Sequence, residues 1–240
     1  MLAGGGEASC FALSGGQDLT KGAYSKADAV YGELKEAILS GALEPGSLID
    51  KTGLCEKLRV SRFPVSAAVS RLAYDRLVDV APQHGSFVAR ISLEDARERL
   101  FIRSALESEI AAEAARRMSR ADKDALAANL RQQVAAVAEK DRATFYGLDV
   151  AFHQILTAGL GMARASDVLE SLRVHLERTR RLTMLTAEQL RASLNEHTAV
   201  VAAIEAEDPT AACDAMKQHL GITAARLEDL AKRQPELFSP

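Results

Sequence analysis

The 240 residues contain no tryptophan, and aromatic side chains of every kind make up only 5%. Cysteine is scarce too. Cys10, Cys55 and Cys213 are odd in number and far apart, which excludes a disulfide framework and fits a reducing cytoplasm. No apolar run approaches the roughly 20 residues that span a bilayer, so no membrane partner is expected. The N-terminus has no basic segment leading into an apolar core, so no secretory signal is expected either. An excess of positive charge is also missing. The net charge is −3, which does not by itself announce a nucleic-acid partner. Residues 21–92 carry 10 Lys and Arg against 8 Asp and Glu, a net of +2, and residues 93–240 carry 20 against 23, a net of −3. Any affinity for DNA must therefore come from a local patch, used in two copies.

What is present suits helices. Hydrophobic residues reach 48% in a chain of 25.8 kDa, with alanine and leucine abundant. That mass allows one large domain or two of ordinary size. Residues 1–22 hold Gly4-Gly5-Gly6 and Gly15-Gly16 without periodicity and read as a flexible tail.

The stretch Val60-Ser61-Arg62-Phe63-Pro64-Val65-Ser66-Ala67-Ala68-Val69-Ser70-Arg71-Leu72 reads as a helix meant for a DNA groove. Ser61 is a plausible cap, and Pro64 is tolerated in a first turn, where backbone N–H groups lack partners. Val65, Val69 and Leu72 recur at helical spacing, while Arg62, Ser66 and Ser70 stay on the free side. Tyr31 to Ala42 reads as a helix closed by Gly41 and the Pro45-Gly46 turn, and Leu54 to Leu58 as a shorter one. Leu77 to Val88 reads as two short strands with His84-Gly85 at the tip between them. Three helices and a β-ribbon predict a winged helix-turn-helix over 23–91. The run from Tyr31 to Val88 resembles the DNA-binding domain of the GntR family of bacterial regulators. The resemblance implies double-stranded operator DNA as partner, with Ser61, Arg62, Pro64, Ser66, Ser70, Arg71, His84 and Gly85 as candidate contacts. The position of Ser66 is commonly an arginine in that family, which leaves that contact in doubt. Arg71 and Arg76 read equally as solvated helix surface, and His84 as an exposed loop histidine.

Ser92, followed by Glu94 and Asp95, marks the start of a second domain over 92–232, with 233–240 as a tail. No strand signal occurs there. Six helices are expected, at 93–118, 121–139, 143–159, 164–184, 187–206 and 209–231, in an all-α antiparallel bundle. A GntR-type head followed by such a domain resembles the FadR subfamily with its FCD effector domain. Six helices rather than seven are similar to the VanR branch.

Within these helices, charged residues fall on apolar stripes. Asp149 and His153 lie one turn apart among Phe145, Leu148, Phe152, Ile155 and Leu156. His197 takes a core position between Leu194 and Val201, and His219 one between Met216 and Leu227. A buried carboxylate is costly without partners. Any one of the histidines alone would read as a hydrogen-bonded core residue. Together, Asp149, His153, His197 and His219 can converge on a divalent metal, and zinc, nickel, manganese or iron would accept such donors. The resemblance implies the same set, since many FCD domains bind a metal through one Asp and three His.

Arg103 also lies on an apolar stripe and cannot shed its charge. Its partner is either a protein acid, Glu107 or Asp149, or the carboxylate of a bound effector. His175 either lines the same pocket or is a plain core histidine. These features predict a cytoplasmic, homodimeric transcription regulator, a repressor, answering to a small carboxylate metabolite. The alternatives are a metal-dependent hydrolase or lyase using the same site and a metal-free regulator that binds an acyl ligand.

Overall fold

A computed structural model of the chain describes residues 25–183 and 186–239. The segment 1–22, expected as a tail, lies outside the described residues. Two compact units meet at the Arg90–Ile91 bond.

In the first unit, α1 (Lys26–Leu39) begins with a capping box, in which Ser25 accepts from the Asp28 N–H and Asp28 accepts from the Ser25 N–H. Helix α2 (Lys51–Leu58) is capped by Asp50, which accepts from the N–H groups of Thr52 and Gly53 at 3.0 Å. Both helices start earlier than apolar periodicity suggested, because the cap and not the first apolar residue sets a helix start. Helix α3 (Arg62–Tyr74) follows with Ser61 at the cap position, although the Ser61 side chain makes no capping bond. Strands β1 (Val78–Ala81) and β2 (Gly85–Val88) pair antiparallel, Val78 opposite Val88 and Ala81 opposite Gly85. The outer edge of β2 is joined by the segment after α1, with the Ile49 N–H on Ser86 O at 2.8 Å and the Val88 N–H on Ser47 O at 2.9 Å. Val30, Leu34, Ile38, Ile49, Val65, Val69, Leu72, Leu77 and Val88 close one core behind α3.

Among the described residues the second unit has six α-helices: α4 (Leu93–Arg117), α5 (Arg120–Glu139), α6 (Arg142–Gly159), α7 (Ala163–Thr183), α8 (Ala187–Glu205) and α9 (Pro209–Arg233). Side chains cap five of these starts at their expected breaks: Ser92, Ser119, Asp141, Thr186 and Asp208. Short connections bring α5 against α6, α6 against α7 and α8 against α9, and α4 packs against α9, α8, α7 and α6. Small residues on α4, Ala111, Ala114 and Ala115, sit in the main core with Leu126, Phe152, Leu156, Ile204, Met216 and Leu220. The segment after α9, expected as a tail, is held instead. Pro235–Leu237 forms a 3-10 turn, and Phe238 packs against Ile91 and Leu100. The Ile91 N–H donates to Leu237 O, and the Ser239 N–H donates to Ile91 O, both at 2.9 Å.

Candidate metal centre and DNA-facing helix

Helices α6, α8 and α9 each carry one buried histidine into the middle of the bundle. Each histidine takes its place because its neighbours at helical spacing are core residues: Phe152 and Leu156 around His153, Leu194 and Val201 around His197, Met216 and Leu220 around His219. The ring centroids are 4.7 Å apart for His197 and His219, 5.4 Å for His153 and His219, and 5.7 Å for His153 and His197. One ring nitrogen from each lies within 4.8 Å of the others.

Separate helices hold the outer side of each ring. His219 Nδ1 is 2.8 Å from Glu196 Oε2 on α8, and Arg226 donates to the other oxygen of that carboxylate at 3.0 Å. His153 Nδ1 abuts Glu107 of α4. His197 Nδ1 is 2.9 Å from Gln133 Oε1 on α5. The Gln133 amide nitrogen donates to Asn129 Oδ1 at 2.6 Å, and Asn129 donates to Leu148 O at 2.9 Å. With its nitrogen committed, Gln133 presents only an acceptor to His197. The proton of His197 is therefore assigned to Nδ1, and its Nε2 carries a lone pair. Nε2 of all three histidines is buried without a hydrogen-bond partner.

Burial pushes His197 and His219 well below the ordinary histidine range, and the neighbouring imidazoles and arginines add to it. Both rings are therefore neutral, the form that binds a metal. Burial by itself would raise the Glu107 carboxyl. Arg103 and His153 outweigh it and hold the group below its usual range.

Asp149 is fully buried beside the triad, its Oδ1 lying 3.5 Å from His197 Nε2. That oxygen is also gripped by Arg180 of α7, while Oδ2 has no hydrogen-bond partner. Three unsatisfied, buried imidazole nitrogens within 4.8 Å of one another fit a divalent cation. Asp149 stands beside that cluster, near His197, and is not within the same reach of all three rings.

Beside His153, a cavity is walled by α4, α6 and α7 and lined by Arg103, Glu107, Gln154, Thr157, Ser166, Arg173 and Arg180. Arg103 and Arg180 also line a second, more apolar cavity with Leu176, Thr223 and Leu227. Arg103 Nε donates to Glu107 Oε1 at 2.6 Å, so a protein acid holds the guanidinium. Burial, with Arg103 nearby, pulls Arg180 down to about 10, still charged at neutral pH. His175 is half-buried on α7 and lines neither cavity. Sequence reasoning did not reach Arg180, Gln133 or Glu196. Asn129 and Gln133 carried a usable signal, being amides on the stripe of Leu126 and Ala136. Arg180, within Arg178-Thr179-Arg180-Arg181, reads like solvated surface.

In the first unit, Arg62, Ser66 and Ser70 lie exposed along α3, and His84 is exposed at the hairpin tip. Pro64 is buried, so it shapes the first turn and presents nothing outward. Arg71 pairs with Asp28 and stacks on the Tyr31 ring, 4.1 Å from its centroid, so its charge is already engaged. Gln83 (φ 65°) and Gly85 (φ 124°) turn the hairpin. A Cβ at Gly85 would lie 2.8 Å from Leu48 Cδ1.

Comparison with known proteins divides the chain at the same place. Residues 26–88 match the model for bacterial regulatory proteins of the gntR family, and residues 98–221 match that for the FCD domain. The HTH-type transcriptional repressor RspR of Escherichia coli K12 is 30% identical over 210 residues, covering 88% of this chain and 92% of that protein. The HTH-type transcriptional repressor GlaR of the same strain is 29% identical over 198 residues, covering 79% and 90%. Among solved structures, a GntR transcriptional regulator from Rhodococcus sp. RHA1 has the same fold. It has a TM-score of 0.69 at 24% identity, covering 86% of this chain and 99% of that one.

Proposed function

The chain belongs to the GntR family of bacterial regulatory proteins and is a transcription regulator with an FCD domain, and from that premise we propose that it is a metal-dependent, metabolite-controlled repressor. It works in the cytoplasm as a homodimer on a palindromic operator. The observation that carries the metal reading is the triad of buried, unpartnered Nε2 atoms, each ring held from behind by a carboxylate or an amide. A metal-binding histidine is oriented in just this way by a hydrogen bond to its other nitrogen. His153, His197 and His219 would hold the cation, with Asp149 as a fourth donor. Bound there, the cation supplies a Lewis-acidic position for an oxygen of a small organic acid.

The chain's own residues do the rest. Arg103 and Arg180 bring positive charge to the cavity wall beside His153, and Gln154, Thr157 and Ser166 offer hydrogen bonds there. Glu107 links the wall to the triad, since it touches both Arg103 and His153. An effector that engages Arg103 therefore pulls on a helix that also holds a histidine. An effector that prefers one arrangement of the two heads then shifts operator affinity. RspR and GlaR, matched along 92% and 90% of their lengths, are both named transcriptional repressors and not enzymes.

Elemental analysis of untagged protein offered zinc, nickel, manganese and iron tests the metal reading. The expected result is about one divalent ion per chain, lost in His197→Ala. Protein that takes up none of the four would overturn the metal reading and leave a metal-free regulator.

A further inference from the structure

We propose that Phe63 is a specificity-determining residue, reading a thymine in the operator through its 5-methyl group in the major groove. The proposal rests on the DNA-binding reading of the first unit. It goes beyond it by assigning a base preference to a residue that the fold leaves unused.

Helix α3 buries nearly all of its apolar residues. Val65, Val69 and Leu72 are at most 2% exposed, yet Phe63, in the first turn, is 79% exposed. No core contact therefore requires an aromatic ring at position 63. Phe63, Ala67, Ser70 and Tyr74 recur at helical spacing and form one stripe facing away from the core. That stripe bears no charge. Beside it Ser66 is also short and exposed. Between Phe63 and Tyr74 the stripe thus carries only the small Ala67 and Ser70, and Phe63 is its bulkiest group at the N-terminal end of the helix. Arg59 and Arg62, both exposed, stand at the same end of the helix and supply the charge that a phosphate backbone requires.

These features choose the occupant. The positive end of the helix favours a polyanion, and small residues permit close approach. The N-terminal residues of such a helix are the ones that reach base edges. In the major groove only thymine offers an apolar group, its methyl, and a phenyl ring contacts it while gaining nothing from the hydrogen-bonding edges of guanine, adenine or cytosine. Arg62 anchors the helix start, and Phe63 distinguishes thymine from cytosine at the base pair it faces.

The test uses the full chain and a duplex enriched from a random pool by rounds of binding at fixed salt. Each thymidine of that duplex is replaced in turn by deoxyuridine, which lacks only the methyl group. Wild-type protein should lose about 4-fold in affinity per methyl removed at one symmetry-related thymine, and about 15-fold when both half-sites are changed. Phe63→Ala, whose melting temperature should match wild type because the ring is exposed, should bind thymidine and deoxyuridine duplexes alike. Wild-type binding that is indifferent to every deoxyuridine would overturn the proposal while leaving the DNA-binding reading intact. A Phe63→Ala protein that keeps the full deoxyuridine penalty would overturn it too. Failure to enrich any duplex would overturn the DNA-binding reading and this inference with it.

Discussion

Replacing Gln133 by methionine separates a metal centre from a merely packed core. Gln133 is fully buried and makes two hydrogen bonds, one to His197 at 2.9 Å and one to Asn129 at 2.6 Å. Methionine keeps much of the volume but removes both polar ends. His197 Nδ1–H and Asn129 Oδ1 are then buried without partners, at about 1–3 kcal/mol each. In the presence of chelator the second unit should lose about 2–6 kcal/mol, a fall in melting temperature on the order of 10 °C. The second effect is the diagnostic one. A histidine whose outer hydrogen bond is lost typically binds metal about 10–100-fold more weakly. At equal free metal, the stabilisation added by binding should shrink by about 1.4–2.7 kcal/mol. Leu126→Ala is the control. Leu126 lies on the same helix and is fully buried in the main core. It should cost a comparable 2–5 kcal/mol of stability while leaving metal affinity unchanged. Scanning calorimetry in chelator-buffered zinc reads both quantities. If Gln133→Met binds zinc as tightly as wild type, Gln133 only fills space, and the orientation argument for the triad fails.

Arg62→Ala should weaken operator binding by about 1–3 kcal/mol, and unchanged binding in a salt-controlled shift assay would remove Arg62 from the interface. Gly85→Ala should destabilise the first unit by about 1–3 kcal/mol in chemical denaturation, because φ is 124° and the new Cβ would meet Leu48 at 2.8 Å; a fully stable variant would show that the hairpin adapts. Burial, followed by the bond from its hydroxyl to Asp75, pushes Tyr31 up to about 12. Because the folded value lies above the unfolded one, near 10, this contribution is whole below pH 10 and is lost as pH rises towards 12. Tyr31→Phe should remove that part of the alkaline stability loss, as followed by denaturation across that range, and an identical profile in both proteins would refute the assignment.

The three histidines of the triad were legible because each interrupts an apolar stripe at helical spacing, and burying a polar ring needs a reason. Asp149 was legible for the same cause. Arg103 read correctly as buried, but its partner did not, since Glu107 one turn away and a bound carboxylate offer it the same chemistry. Arg180 was invisible. Four of its nearest sequence neighbours are polar or charged, and only the docking of α7 against α4 and α6 buries its guanidinium beside Asp149. Arg71 is exposed, as its reading as helix surface expected, but its pairing with Asp28 spans 43 residues and no local pattern announces it.

What the residue order determined by itself is whatever depends on near neighbours: the six helices of the second unit, their Ser, Thr and Asp caps, the hairpin tip at His84-Gly85, and which side of each helix is apolar. These follow from the 3.6-residue period and from orphan backbone groups at helix ends, both local effects. What only the tertiary structure decided is which polar groups meet once those faces close. Gln133 reaches His197 across 64 residues and Glu196 reaches His219 across 23, and a buried donor can be told from a buried acceptor only when both are in place. The return of Phe238 to Ile91 has the same cause, since a short apolar segment is a tail or a strap according to the surface it finds.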